Sequence, residues 1–266
     1  MEEPPIFPPA PPESEQAPPP PRTSLGARLL NVFAIPGDVF TEVKSAPPSV
    51  GNWLLPALLW IVVSWVGVWL IFSQPAMQHQ VIDALEKSVE KSVAKKHIPK
   101  EQADQMRQSI EKYGIIFTKV GGAAGVVGIA FASPFAWGLV LWLIGVQVFK
   151  GKFGYMKAVE VAGLASTISV LEAVLRVLLV FGLDSITASP SAALLVKDFD
   201  PQKPSHSMLA AATNIMTFWV LMVRAVGLAK LSGKPLMRTA VWVFGIWAAV
   251  TSVRIGFELA MQAAFR

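Results

Sequence analysis

An all-α polytopic membrane protein is what this sequence predicts: five transmembrane helices, with a helical hairpin outside the membrane after the first span. Three observations carry that reading. Hydrophobic residues make up 53% of the 266 and charged residues only 15%, and the mean hydropathy is +0.50, far from the balance of a water-soluble domain. Five apolar stretches each reach the roughly 20 helical residues that a hydrocarbon core about 30 Å thick requires. The polar residues fall between those stretches, so one membrane domain and its connections use up the chain.

Residues 1–23 are expected to form a disordered, proline-rich cytoplasmic tail. Ten prolines precede Arg22, and such a segment can build neither helix nor sheet. Met1 is followed by Glu2 and Glu3 rather than by a basic start and an apolar run, which argues against a signal peptide. Pro18 to Pro21 followed by Arg22 could dock in an aromatic groove of a partner; a plain solvated tail is the simpler reading.

Residues 24–52 read as interfacial amphipathic segments. Leu25, Leu29, Val32 and Phe33 recur at helical spacing with Arg28 between them, and Ser24 suits the N-cap. Pro36 ends that piece. The next, Gly37 to Lys44, places Val39, Phe40 and Val43 on one side before Pro47 and Pro48 stop it. Both pieces are too short to cross a bilayer.

Residues 53–266 then form the five-span domain. The first span, about Trp53 to Phe72, carries no charge. Residues 73–114 are polar, but Ile82, Leu85, Val89 and Val93 repeat at three-to-four spacing, as do Met106, Ile110, Tyr113 and Phe117. With His97-Ile98-Pro99 between the two sets, a helical hairpin is predicted; an amphipathic membrane anchor is the alternative. The second span lies within Gly121 to Val148 and is long enough to tilt or to extend into the preceding helix, with a kink expected at Pro134. The third runs from about Ala158 to Leu183, the fourth from His206 to Ala229, and the fifth from Thr239 to Ala263, with a proline-bearing loop from Asp184 to Ser205.

Two short connections set the orientation. Phe149 to Lys157 holds Lys150, Lys152 and Lys157, and Lys230 to Arg238 holds Lys230, Lys234 and Arg238, neither with an acid. Short basic loops stay on the cytoplasmic face, so the N-terminus is expected inside and Arg266 outside. The hairpin, with seven basic residues against six acids, is long and nearly neutral and counts for less.

Four charges lie inside spans. Glu172 and Arg176 are four apart in the third, Arg254 and Glu258 four apart in the fifth, and each pair shares a helical face. If those spans are neighbours, Glu172 meets Arg254 and Arg176 meets Glu258 in the outer half of the membrane. One such charge costs roughly 3 kcal/mol on insertion scales, so intramembrane charges pair or line a wet cavity. An interhelical staple, a translocation path, and snorkelling of Arg176 and Glu258 outward are the competing readings. Arg224, nearer the cytoplasmic end of the fourth span, is expected to snorkel there.

Several chemistries are set aside. No cysteine is present, and the three histidines fall far apart in predicted loops, so no disulfide, thiol or metal site is expected. The net charge of +5 is explained by orientation rather than by nucleic acid. Gly121, Gly122, Gly125 and Gly128 lack the Lys-Ser/Thr ending of a phosphate loop; with small residues at four-residue spacing (Gly121/Gly125 and Ala124/Gly128), Gly121, Gly125 and Gly128 read as helix-packing positions. Neither HExxH nor Gly-x-Ser-x-Gly occurs, and neither enzyme nor cofactor is expected.

The order of segments resembles a known family. The stretch NVFAIPGDVFTEVKSAP before the first span is similar to the approach to the Yip-one domain of the Ypt-interacting-protein (Yip) family, where an amphipathic piece precedes five spans. WLIGVQVFKGKFGYMKAVEVAGLAST, between the second and third spans, resembles the pattern of the bacterial members. FWVLMVRAVGLAKLSGKPLMRTAVWV resembles the family's fourth span, short basic turn and final span. The resemblance covers roughly residues 31 to 262 and implies a five-span membrane fold. Eukaryotic relatives engage small Rab-type GTPases in vesicle traffic and carry a cytoplasmic Asp-Leu-Tyr-Gly-Pro motif that has no counterpart here, and Ala165-Ser166-Thr167-Ile168 lacks the proline common after Ala-Ser. The resemblance therefore implies a non-enzymatic scaffold or adaptor in membrane organisation or trafficking, with the lipid bilayer and an unidentified membrane or cytoplasmic protein, or a second copy, as partners. A small transporter or channel using the Glu/Arg network is the alternative, and lipid shaping by the amphipathic segments a third.

Overall fold

A computed structural model describes residues 23–94, 98–197 and 199–264, with the side chains of Glu258 and of residues 262–264 outside the description. The described residues are helical and contain no strand. The proline-rich segment 1–22 and His97 fall outside them.

Ser24 caps α1 (Leu25–Ala34) by accepting from the Ala27 amide at 3.2 Å. Pro36 at the first helical position opens α2 (Pro36–Ser45), with Asp38 in the first turn and Lys44 in the last, each matching the helix dipole. The pair packs onto the end of the spans: Val32, Phe40 and Val43 are wholly buried in protein. Leu30 and Ile35 stay exposed on the outer side.

The first span is α3 (Gly51–Phe72). The polar region is the predicted hairpin, α4 (Pro75–Ala94) packed against the first part of α5 (Lys100–Leu143). At 44 residues, α5 is one helix about 66 Å long, so the second span and the second hairpin arm are continuous through Pro134. A π-turn, Ile144–Val148, ends it. Lys150 follows with a φ of 57°, and the Gly151 amide bonds the Gly145 carbonyl at 2.8 Å.

The third span is two helices, α6 (Tyr155–Ala165) and α7 (Thr167–Gly182). The break comes at Ser166 without any proline: its hydroxyl donates to the Gly163 carbonyl at 2.6 Å and competes with the backbone ladder. The fourth span starts later than predicted. A separate helix α8 (Pro204–Thr213) precedes it, and α9 (Ile215–Ser232) begins only after Asn214, whose side chain caps the Met216 and Thr217 amides. Last comes α10 (Leu236–Ala264).

Among the described residues, five helical stretches are long and apolar enough to cross a membrane: α3, α5 with its π-turn, α6–α7, α9 and α10. The main core joins α2, the end of α5, α6, the start of α7 and α9, through Phe40, Leu141, Leu164, Ile168, Leu221 and Leu228. Close approach at three glycines makes it possible. A Cβ on Gly163 would collide with Trp53 of α3, one on Gly138 would lie 2.9 Å from the Val159 Cα, and one on Gly227 would strike Val161. α10 joins this core through the buried Val243, and it is held to α9 by Thr239 donating to the Ala225 carbonyl at 2.9 Å and by Phe218 against Phe244 and Trp247. The many exposed large apolar side chains, such as Trp69, Phe117, Leu178 and Val253, suit a lipid solvent.

The two ends of the bundle differ. At one, the α1–α2 cap meets both short basic connections: Lys44 donates to the Lys230 carbonyl at 2.9 Å and Lys157 to the Val43 carbonyl at 2.7 Å. At the other, the hairpin meets the loop after the third span, with Gln80 bonded to Asp184 and Ile186 and Lys91 paired to Asp200 at 2.7 Å.

Candidate functional site

A polar network lies buried where the cap meets the spans. Asn52, in the first turn of α3, is 1% exposed and turns both ends of its amide to charged partners. Its Oδ1 accepts from the Arg28 guanidinium of α1 at 3.3 Å, and its Nδ2 donates to the Glu160 carboxylate of α6 at 2.6 Å. Arg28 reaches on to Glu42 of α2 at 2.7 Å. Lys157, one helical turn before Glu160, sets its ammonium 3.2 Å from the other carboxylate oxygen and donates to the Val43 carbonyl of α2. Two cations and two anions from three helices, bridged by Asn52 of a fourth, thus form a net-neutral cluster.

Burial decides what this cluster is worth. The Glu160 side chain is 1% exposed and that of Lys157 12%; both carry several kcal/mol of desolvation cost that only pairing offsets. Oε1 of Glu160 has no hydrogen bond, so the Lys157 charge is its compensation. Glu42 is shallower. Burial pushes its carboxyl up, but hydrogen bonds from Thr23 and Arg28 and the Arg28 charge bring it below the ordinary 4.5. The Thr23 amide donates to the same Glu42 oxygen at 3.0 Å, which ties the root of segment 1–22 to the network. Chemically the cluster is a clamp; among the described residues no group of three His, Cys, Asp or Glu could hold a metal ion.

The charges singled out in the sequence stand elsewhere. Glu172, half-buried in α7, accepts from the Asn214 side chain at 2.7 Å. Arg176 is exposed one turn further on, and Arg254 is exposed on α10, whose packing is against α9 and α8. The side chain of Glu258 lies outside the described residues. Arg224 corrects the snorkelling expectation: it is 6% exposed and its guanidinium lies 4.3 Å over the Trp137 ring. Trp137 of α5 stands against α9 at this point, so the cation meets an aromatic face. At Gly121, Gly125 and Gly128 an added Cβ would meet nothing within 4 Å. Pro134 is buried within α5.

Sequence reasoning passed over Glu160, Asn52 and the network role of Arg28. A signal for Glu160 existed: it is the one acid in the small, apolar run Ala158 to Ala165, three residues after Lys157. Lys157 looked like an orientation charge because its partner lies inside the span. Asn52 carried no signal, since its partners come from residues 24 and 108 positions away.

The Yip1 domain family matches residues 30–255, from within α1 to late in α10, so α2, both short loops, the first four apolar helices and most of the fifth fall inside the match. No curated protein and no solved structure matches the chain. A family match over most of the sequence, on a bundle of five helices long and apolar enough to cross a bilayer, makes this chain an integral membrane protein of the Yip1 domain family.

Proposed function

We propose that the protein is a non-enzymatic scaffold or adaptor of the bacterial cytoplasmic membrane, with its N-terminus in the cytoplasm, its C-terminus outside, and segment 1–22 as a contact surface. One observation carries the reading. The Thr23 amide and the Arg28 guanidinium share the Glu42 carboxylate, and through Asn52 and Glu160 that carboxylate is joined to the spans. A proline-rich segment with its base fixed in this way is presented from one place on the bundle, as a docking arm requires. The orientation rests on Lys150, Lys152, Lys230, Lys234 and Arg238 in the two short connections at that end. The test is photo-crosslinking and pull-down from native membranes with the full chain and with a form lacking residues 1–22. Partner capture should fall at least tenfold on truncation; unchanged capture removes the segment as a docking site.

A transporter or channel is the second reading, favoured by a half-buried Glu172 held by Asn214 inside the third span. In it Glu172, Arg176, Arg254 and Glu258 line a path. Glu172→Gln with Arg254→Gln should then abolish solute flux in proteoliposomes while insertion and thermal stability stay near normal. Preserved flux with impaired assembly would eliminate transport through these groups and leave them a packing role.

A further inference from the structure

We propose that the groove between the end of the second span and the start of the fifth binds one anionic phospholipid, with Arg238 holding its headgroup. Val148 and Phe149 form one wall, Met237, Val241 and Trp242 the other, and the groove encloses about 390 Å³. Arg238 is its single charge, and no acid lines it.

Two local features open this groove. The π-turn and the positive φ of Lys150 swing the chain away as the second span ends. α10, meanwhile, faces α9 through Thr239, Phe244 and Trp247, so its opposite flank is left without a helix there. Met237 is 75% exposed and Val241 64%.

The arrangement has the polarity of a lipid. Val241 and Trp242 follow Arg238 by three and four residues, about 5–6 Å deeper along α10. A cation at the mouth and an apolar slot below it match a phosphate headgroup with an acyl chain. A water-soluble anion would find one cation and otherwise apolar walls; an uncharged apolar occupant would leave Arg238 unpaired. Charge complementarity extends past the groove. Lys150, Lys152 and Lys234 stand in the same two connections, and among the described residues none of these or Arg238 has a carboxylate at ion-pair distance. Lys157, by contrast, is committed to Glu160. Basic pockets between membrane helices are the usual recognition device for anionic headgroups.

The test is native mass spectrometry of the purified full chain in detergent, titrated with phosphatidylglycerol or phosphatidylcholine. Wild type should retain one phosphatidylglycerol in preference to phosphatidylcholine. Arg238→Gln should weaken that retention about fivefold, the worth of one basic side chain at an anionic surface, and Val241→Trp should weaken it with no change of charge. Lys234→Gln, the same charge change outside the groove lining, should have a smaller effect. Equal retention of the two lipids overturns the proposal. So does an equal loss in Arg238→Gln and Lys234→Gln, which means diffuse attraction, or displacement by millimolar inorganic phosphate, which means a soluble-anion site. Arg238 is exposed, and an unchanged thermal melt separates lost lipid from lost fold.

Discussion

Replacing Glu160 by Gln keeps the shape of the side chain and removes its charge. The Asn52 amide can still bond the new side chain, so the loss concentrates on Lys157, whose side chain is only 12% exposed and whose ammonium then keeps the Val43 carbonyl without an anion. Breaking a buried pair from one side costs about 3 kcal/mol at the lower end of the measured range. For a chain of this size each kcal/mol moves Tm by about 2–4 °C, so a fall of roughly 6–12 °C is expected in thermal unfolding of nanodisc-embedded protein followed by tryptophan fluorescence. Lys157→Gln should cost a similar amount. The double variant Lys157→Gln with Glu160→Gln should recover part of it, because no uncompensated charge is left, giving a coupling of at least about 1.5 kcal/mol. A single-variant shift under 2 °C, or additivity within about 0.5 kcal/mol, would refute the view that this pair clamps the cap to the spans.

Other residues give separate tests. Gly163→Ala would drive a methyl into the backbone of Trp53, an overpacking cost of about 1–3 kcal/mol visible in the same melt; Gly125→Ala, with nothing within 4 Å, should be neutral or gain up to about 1 kcal/mol from helix propensity. If Gly121, Gly125 and Gly128 pack against a second copy instead, Gly125→Leu should lower the oligomer fraction on single-molecule photobleaching, and an unchanged distribution removes that role. Asn214→Ala strips the cap from two amides of α9 and the partner from Glu172; a loss of about 1–2 kcal/mol is expected for the cap, and Asn214→Asp should keep the capping contribution. The depressed carboxyl of Glu42 stabilises the docked cap fully above its ordinary 4.5 and loses that contribution as pH falls through its lower folded value. Limited proteolysis between α2 and α3 should therefore accelerate below about pH 4.5, and Glu42→Gln should flatten the acid limb of that profile.

Hydropathy and length were enough to find the five spans, the helical hairpin and the side on which the short basic loops gather, because lipid imposes one rule on every spanning segment: roughly 20 apolar residues with the backbone satisfied internally. The breaks at Ser166 and Asn214 were out of reach of that rule, since each depends on a side chain choosing a backbone partner over solvent. Charge placement divided in the same way. Glu172 could be seen as a costly group inside a span, but its partner Asn214 lies 42 residues on, and only the packing of α7 near the start of α9 brings the two together. Arg224 shows the limit most plainly, for its distance from the helix end suggested escape to the interface while a neighbouring Trp137 holds it inside. The sequence by itself determined the solvent of this protein and the number of its crossings. The tertiary structure alone decided which charges neutralise one another, because a buried ion is stable only beside a partner, and in Arg28, Asn52 and Glu160 those partners come from helices that the chain order keeps far apart.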